Sequence, residues 1–206
     1  MKIDHIVYGV QDLEAAASRM KQEFGLGSVS GGRHPGWGTA NRIVPLGPDY
    51  VELLAVVDRT EAEQDEVGRG FLATMAEGDR FLGWCVAVED IDGLAARLGL
   101  PVTAGTRERP DGRVLRWRSA GLKEALAEPS LPFFITWDIP TELHPGRAPA
   151  DHAVQPQGIE WLEIGGDALR LNEWLDGSTL PVRVVGGPPG VLAVGIAAEP
   201  DEIVVR

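Results

Sequence analysis

Residues 4–20 read DHIVYGVQDLEAAASRM, and their hydrophobic period changes at Asp12. Before it, the apolar run of Ile6, Val7 and Val10 suits a buried strand; after it, Leu13, Ala16, Ala17 and Met20 fall at i, i+3, i+4 and i+7, one face of a helix. Asp12 stands at the expected N-cap, where its carboxylate can accept hydrogen bonds from the first free N–H groups of the helix. The same phrase returns at Asp90 and Asp167, at spacings of 78 (90 − 12) and 77 (167 − 90) residues. Its helical positions return too, as Ile91, Leu94, Ala95 and Leu98, then as Ala168, Leu171, Asn172 and Leu175, with only Asn172 breaking the apolar face. So regular a period implies a duplicated supersecondary unit, which assigns the three aspartates to the scaffold.

Outward from this phrase, the first unit runs through a Gly-rich loop, SVSGGRHPGWGTANR, into two apolar segments, NRIVPLG and YVELLAVV. It reads β-α-β-β-β. The second unit offers GWCVAVE, a strand from Val102 to Arg109, a turn at Pro110-Asp111-Gly112, RVLRWRSAG and LPFFITWD. Residues 139–157 lose periodicity and hold four prolines (140, 145, 149 and 156), as expected of a connecting loop. The third unit offers GIEWLEIGG, PVRVVGG, GVLAVGIAA and EIVVR. The expected fold class is α+β: β-α-β-β-β modules over 1–60, 61–138 and 158–206, forming a cupped mixed sheet around a cleft.

Composition narrows the function classes. Nineteen basic against thirty-one acidic residues give a net charge of −12, which repels a phosphate backbone, so no nucleic-acid partner is expected. The longest apolar stretches, such as 191–198, fall well short of the ~18 residues a spanning helix needs, and the first residues carry no secretory h-region. The single cysteine, Cys85, excludes an intrachain disulfide and fits a reducing cytoplasm, where it reads as strand core.

The segments DHIVYGVQDLEAA, GGRHPGWGTANRIVPLG and YVELLAV resemble the vicinal oxygen chelate superfamily, in its glyoxalase-like and bleomycin-resistance branch. The resemblance implies that two modules enclose a cleft, and that metal-dependent members hold a divalent ion (Zn, Ni, Fe or Mn) on His and Glu side chains. His5 and Glu52 match the first-strand and last-strand ligand positions. The repeat then tests the rest of the set: His5 becomes Gly83 and Glu160 in the other units, while Glu52 falls near Thr136 and Val204. Two completions remain open, Glu160 from the third module or His34 from the loop. A metal-free reading, with His5 and Glu52 as acid and base, is equally open.

The loop at 31–42 is the second functional candidate. Arg33, His34 and Arg42 supply positive charge or imidazole, Trp37 a flat apolar face and Asn41 a two-way amide, a group suited to a small anion. Trp84 and Trp161 align with Ile6 on the helix-facing side and are expected in the core; Trp117 and Trp137 can wall the cleft. His144 and His152 read as solvent-exposed turn residues. The expected function is a glyoxalase-like enzyme, of lyase, isomerase or dioxygenase type, acting on a small anionic carbonyl or vicinal-oxygen compound. His5, Glu52 and His34 would be catalytic, Arg33, Trp37, Asn41 and Arg42 would bind substrate, and His5, Glu52 and Glu160 are the candidate metal ligands. The alternative is a small-molecule sequestration protein of the bleomycin-resistance type; either could assemble as a homodimer.

Overall fold

A computed structural model of the chain describes residues 1–108 and 112–206. Arg109, Pro110 and Asp111, where the sequence suggests a strand end and a turn, lie outside the described residues. The first unit comprises β1 (Lys2–Gly9), α1 (Leu13–Phe24), β2 (Val29–His34), β3 (Thr39–Pro45) and β4 (Tyr50–Val56). Two helices follow, α2 (Arg59–Gln64) and α3 (Glu66–Thr74). The second unit comprises β5 (Arg80–Ala87), α4 (Ile91–Leu98), β6 (Val102–Glu108), β7 (Val114–Ala120), α5 (Leu122–Ala127) and β8 (Phe133–Trp137). The last comprises β9 (Gln155–Gly165), α6 (Ala168–Trp174), β10 (Val182–Val185), β11 (Gly190–Glu199) and β12 (Ile203–Val205).

Asp12, Asp90 and Asp167 each cap their helix, accepting from N–H groups two or three residues on. The first two units share one eight-stranded sheet in the order β2-β3-β4-β1-β5-β8-β7-β6. Their relation is a local two-fold: His5 pairs with Cys85 and Val7 with Gly83, and Ile6 pairs with Trp84, so an offset of 78 exchanges partners across the β1–β5 seam. The period read from the capping aspartates is therefore the symmetry of the cup.

The third unit keeps the order of elements but pairs them differently. In the first two, the opening strand lies parallel to the closing one, β1 with β4 and β5 with β8. Here β9 lies between β10 and β11 in a separate four-stranded sheet, β10-β9-β11-β12. The Pro-Pro-Gly segment explains the change. A Cβ on Gly165 would sit 2.0 Å from the carbonyl oxygen of Pro188, so the chain crosses the end of β9 there and delivers β11 to its far side.

This second sheet backs the cup rather than extending it. Leu162, Ile164, Val194 and Ile196 join one core with Ile6, Trp84, Phe134 and the apolar faces of α1, α4 and α6. Each fully buried side chain of this kind contributes roughly 1.5–3 kcal/mol, so the convex side carries most of the stability. Trp84 lies in this core, its indole N–H donating to the Ser130 carbonyl. Trp161 does not: it is half-buried and donates to Glu202. Leu162 and Ile164 face inward on β9, and neighbours on a strand take opposite faces, so Trp161 turns out. The concave side has its own cluster, in which Val7, Leu54 and Leu82 are covered by Val67 and Phe71 of α3, with Leu122 and Leu126 of α5 packed against it. Among the described residues no helix is long and apolar enough to cross a membrane.

Candidate functional site

The concave face of the eight-stranded sheet encloses about 810 Å³ of empty space, its open mouth included. Its polar end is built by His5, His34, Asn41, Glu52 and Arg107, and its walls by aromatic and aliphatic side chains that include Trp37, Phe71, Trp117 and Trp137.

His5 is fixed on three sides. Its Nδ1 lies 2.7 Å from the carboxylate of Asp4, its ring stacks on Tyr50 at 4.5 Å, and Phe133 meets it edge-on at 5.4 Å. Asp4 sits where a bulge interrupts the pairing of β1 with β5, which lets it escape strict alternation and lie beside its neighbour. It is fully buried and accepts two further bonds, from Trp137 Nε1 at 3.0 Å and His144 Nε2 at 3.1 Å. Burial alone would push the Asp4 carboxyl up, but the hydrogen bonds from His144 and His5 outweigh it and hold the group well below the usual carboxylate range. An ionised Asp4 requires His5 Nδ1 to donate, which turns Nε2 toward the cleft, 3.8 Å from Glu52 Oε2, as the nitrogen that carries the lone pair whenever the ring holds one proton. His144, expected at the surface, is instead buried as a prop beneath Asp4. His152 accepts from the Gly27 N–H and ties the same connecting loop to the end of α1.

His34 approaches Glu52 from the other side, with Nε2 3.9 Å from Oε1 and Nδ1 3.0 Å from Thr39 Oγ1. Burial, opposed by the Glu52 charge and reinforced by Arg107, lowers its pKa, which keeps it neutral at pH 7. Asn41 connects the two halves: its amide N–H donates to Glu52, and its carbonyl accepts from Arg107 Nη1 at 3.0 Å. Arg107 can only donate and a carboxylate only accepts, so this orientation of the amide is fixed by its partners.

Two glycines make room for that bridge. A Cβ on Gly31 would lie 1.9 Å from Asn41 Oδ1, and one on Gly32 would lie 3.0 Å from Cδ of Arg107, whose stem crosses it. Gly31→Ala is therefore expected to expel Asn41 from between Arg107 and Glu52 and to cost about 1–3 kcal/mol of stability by overpacking. A urea melt coinciding with that of the parent would count against this placement.

The family profile described as a glyoxalase-like domain matches residues 3–178. The chain belongs to that family. No curated protein matches it. Among solved structures, a hypothetical protein from Staphylococcus aureus is similar over 98% of this chain and 84% of its own, at 17% identity and a TM-score of 0.67, which supports the fold alone. Methylmalonyl-CoA epimerase from Mycobacterium tuberculosis is 19% identical, over 66% of this chain and 86% of its own, with a TM-score of 0.45. A Streptomyces coelicolor methylmalonyl-CoA epimerase variant in complex with 2-nitronate-propionyl-CoA is 17% identical, over 68% and 99%, with a TM-score of 0.47. The fold is that of the vicinal oxygen chelate superfamily, whose members are small-molecule enzymes or binders.

Within this glyoxalase-like domain the structure gathers His5, His34, Trp37, Asn41 and Glu52 at one cleft and places three other candidates elsewhere. Arg33 is exposed and pairs with Glu61 at 3.0 Å, and Arg42 pairs with Glu14 of α1 at 2.7 Å. Each is next to a cleft residue on an extended strand, where alternation sends neighbours to opposite faces: His34 and Asn41 look in, Arg33 and Arg42 look out. Glu160 is exposed on β9, in the backing sheet, and does not line the cleft. The cleft is formed by the first and second units, so no strand of the third reaches it. The counterpart of Glu52 is also displaced from the Thr136 expectation: Val7 pairs with Glu52 and Cys85 with Phe133, which puts Phe133 in that place. The inserted helix α5 lengthens the connection and breaks the fixed offset. One unit thus supplies the carboxylate and the other an apolar wall.

Two donor groups bear on a metal. Asp4, His5 and Cys85 place ligand atoms within 4.8 Å of one another, but Asp4 already accepts three hydrogen bonds and burial holds the Cys85 thiol protonated. That group does not fit an ion open to substrate. His5 Nε2, His34 Nε2 and a Glu52 oxygen do fit by kind: two imidazoles and a carboxylate facing one cavity, each imidazole anchored through its other nitrogen.

Proposed function

We propose that this protein is an enzyme that moves a proton at the carbon next to a carbonyl of a small oxygen-bearing substrate, with Glu52 as the base. The observation that carries this reading is the convergence of His5, His34 and Asn41 on a single carboxylate within an otherwise apolar cleft. Glu52 is the only carboxylate among the described lining residues, so a substrate C–H in the cleft has one carboxylate to meet. Asn41 holds that carboxylate toward the cleft. His5, oriented by Asp4, and His34, oriented by Thr39, present their Nε2 lone pairs beside Glu52, where they can accept a substrate hydroxyl proton or hold an ion, and the apolar walls exclude water and strengthen each polar interaction. Glu52 is the base where no ion claims it; alternatively His5, His34 and Glu52 would hold a divalent ion, which when bound supplies Lewis-acid stabilisation of an enolate oxygen.

The test is deuterium uptake from D2O at the carbon next to the carbonyl of a panel of oxo acids and their amides, followed by NMR with and without added Zn, Ni, Mn or Fe. Enzyme-dependent exchange with at least one compound is expected. Tight binding of panel members with no exchange under any condition would sink the catalytic reading and favour a sequestration protein. For the ion, a thermal-shift series should show stabilisation by at least one divalent metal at about 100 times its Kd, worth about 2.7 kcal/mol, and its loss in His5→Ala. Equal shifts in parent and variant would exclude His5 as a ligand.

A further inference from the structure

Arg107 occupies the cleft in a state that the scaffold alone does not explain. It lies on β6, an edge strand of the eight-stranded sheet, and its stem passes over Gly32 of β2, the opposite edge, so it spans the seam where the cup nearly closes. The residue is 9% exposed. One of its five N–H donors reaches Asn41, its Nε finds no partner, and among the described residues no carboxylate lies within ion-pair distance. A guanidinium buried to this degree, with no carboxylate at ion-pair distance among the described residues and Glu52 reached only through the Asn41 amide, is costly unless a ligand completes it, because desolvating an ion that lacks a direct partner is strongly unfavourable. The rest of the cleft states what else that ligand carries. Trp37, Phe71, Trp117, Leu122, Leu126 and Phe133 form walls with few polar atoms, which suit a flat hydrocarbon body.

We infer that the cleft takes a carboxylate joined to a flat apolar body, with Arg107 as the receptor for the carboxylate and the aromatic walls as the receptor for the body. This deepens the proposed function, since it rests on the cleft being the substrate site, and it names Arg107 as a specificity-determining residue. The planar fork of the guanidinium binds a carboxylate through two parallel bonds. Asn41, which accepts from Nη1, fixes the fork and couples the anion to the position of Glu52. The two arginines of the Gly-rich loop cannot serve in its place, because both face outward into ion pairs.

Calorimetric titration of the full chain with phenylpropionate, phenylpropionamide and propionate tests this without requiring turnover. The parent should bind phenylpropionate at least tenfold more tightly than either of the others. In Arg107→Met the affinity for phenylpropionate should fall by about tenfold to a hundredfold, while that for the amide stays within threefold. A purely structural role for Arg107 would weaken both probes equally, and that outcome overturns the inference. So does a parent that prefers the amide or propionate, or that binds none of the three at millimolar concentration. Glu52→Gln should keep the preference for the carboxylate, so failed catalysis and a failed anion receptor give different results.

Discussion

Glu52→Gln is expected to slow solvent exchange at the substrate carbon by about 10²- to 10⁴-fold, the range over which a positioned general base contributes. The substitution keeps the shape of the side chain. A glutamine carbonyl can still accept from the Asn41 amide, so the Arg107–Asn41 bridge survives and stability should change by less than about 1 kcal/mol. What is lost is the proton acceptor and one candidate ion ligand. The measurement pairs NMR exchange rates with a thermal melt. Exchange within threefold of the parent would remove Glu52 as the base and shift the role to His5 Nε2, which faces the same space 3.8 Å away.

His34 bears on the interpretation. Its pKa is lowered by burial first and by Arg107 second, against the pull of Glu52, so it carries no charge at neutral pH. It therefore adds no permanent positive charge beside Glu52, and an exchange profile for the parent should show no inflection from His34 above its ordinary value of 6.5.

The sequence carried the fold well because fold information is repeated three times. Each copy of the Asp-capped helix corroborates the others, and the 78-residue offset proved to be the two-fold relation that joins β1 to β5. The third copy misled for a physical reason: the Pro188-Pro189 crossover at Gly165 changes strand pairing without changing the order of elements. The site was legible where one strand sets the geometry. His5 and Glu52 sit on adjacent paired strands, close in register as Val7↔Glu52 shows. It was illegible where geometry depends on a face or a long-range approach. Arg33 and Arg42 shared a loop with His34 and Asn41 but alternation sent them outward. Arg107 stands 66 residues from Asn41 on a strand whose sequence, VTAGTRE, carries no motif. Only the spare room at Gly31 and Gly32 hinted that a side chain from elsewhere would enter, and glycines in a turn-rich loop serve the backbone's own bends just as readily. Asp4 gives no sign of its role in the hydrophobic pattern, since the bulge that turns it toward His5 leaves no mark there.

Asp4→Asn should be strongly damaging to stability. The carboxylate accepts from His5, Trp137 and His144, all three of which present N–H groups to it. An asparagine offers one oxygen in place of two and turns an N–H₂ group toward donors, leaving buried polar atoms unpaired. Losses of this kind cost about 3 kcal/mol, or roughly 6–12 °C in Tm for a chain of this size. The pH dependence identifies the cause. The folded pKa of Asp4 lies below its unfolded value of 3.8, so its contribution is fully present above that value and is lost as pH falls. The gap between parent and variant should therefore be widest above about pH 5 and should narrow steadily as pH falls below 3.8. Asp49 works in the other sense: burial, opposed by the Ile159 N–H, raises its pKa from 3.8 to about 7. Its contribution is present below 3.8 and is lost as pH rises through about 7, and the Asp4 charge is one of the influences that raise it. Below 3.8 the Asp49 contribution no longer changes with pH, so a gap that narrows in that range reports Asp4. His5 would also lose the partner that holds Nδ1–H, so ion affinity or exchange rate should fall by a further tenfold to a hundredfold, the usual cost of removing such a support. A variant that melts with the parent at pH 7, or a gap that does not change between about pH 2 and 5, would show that Asp4 does not anchor the site.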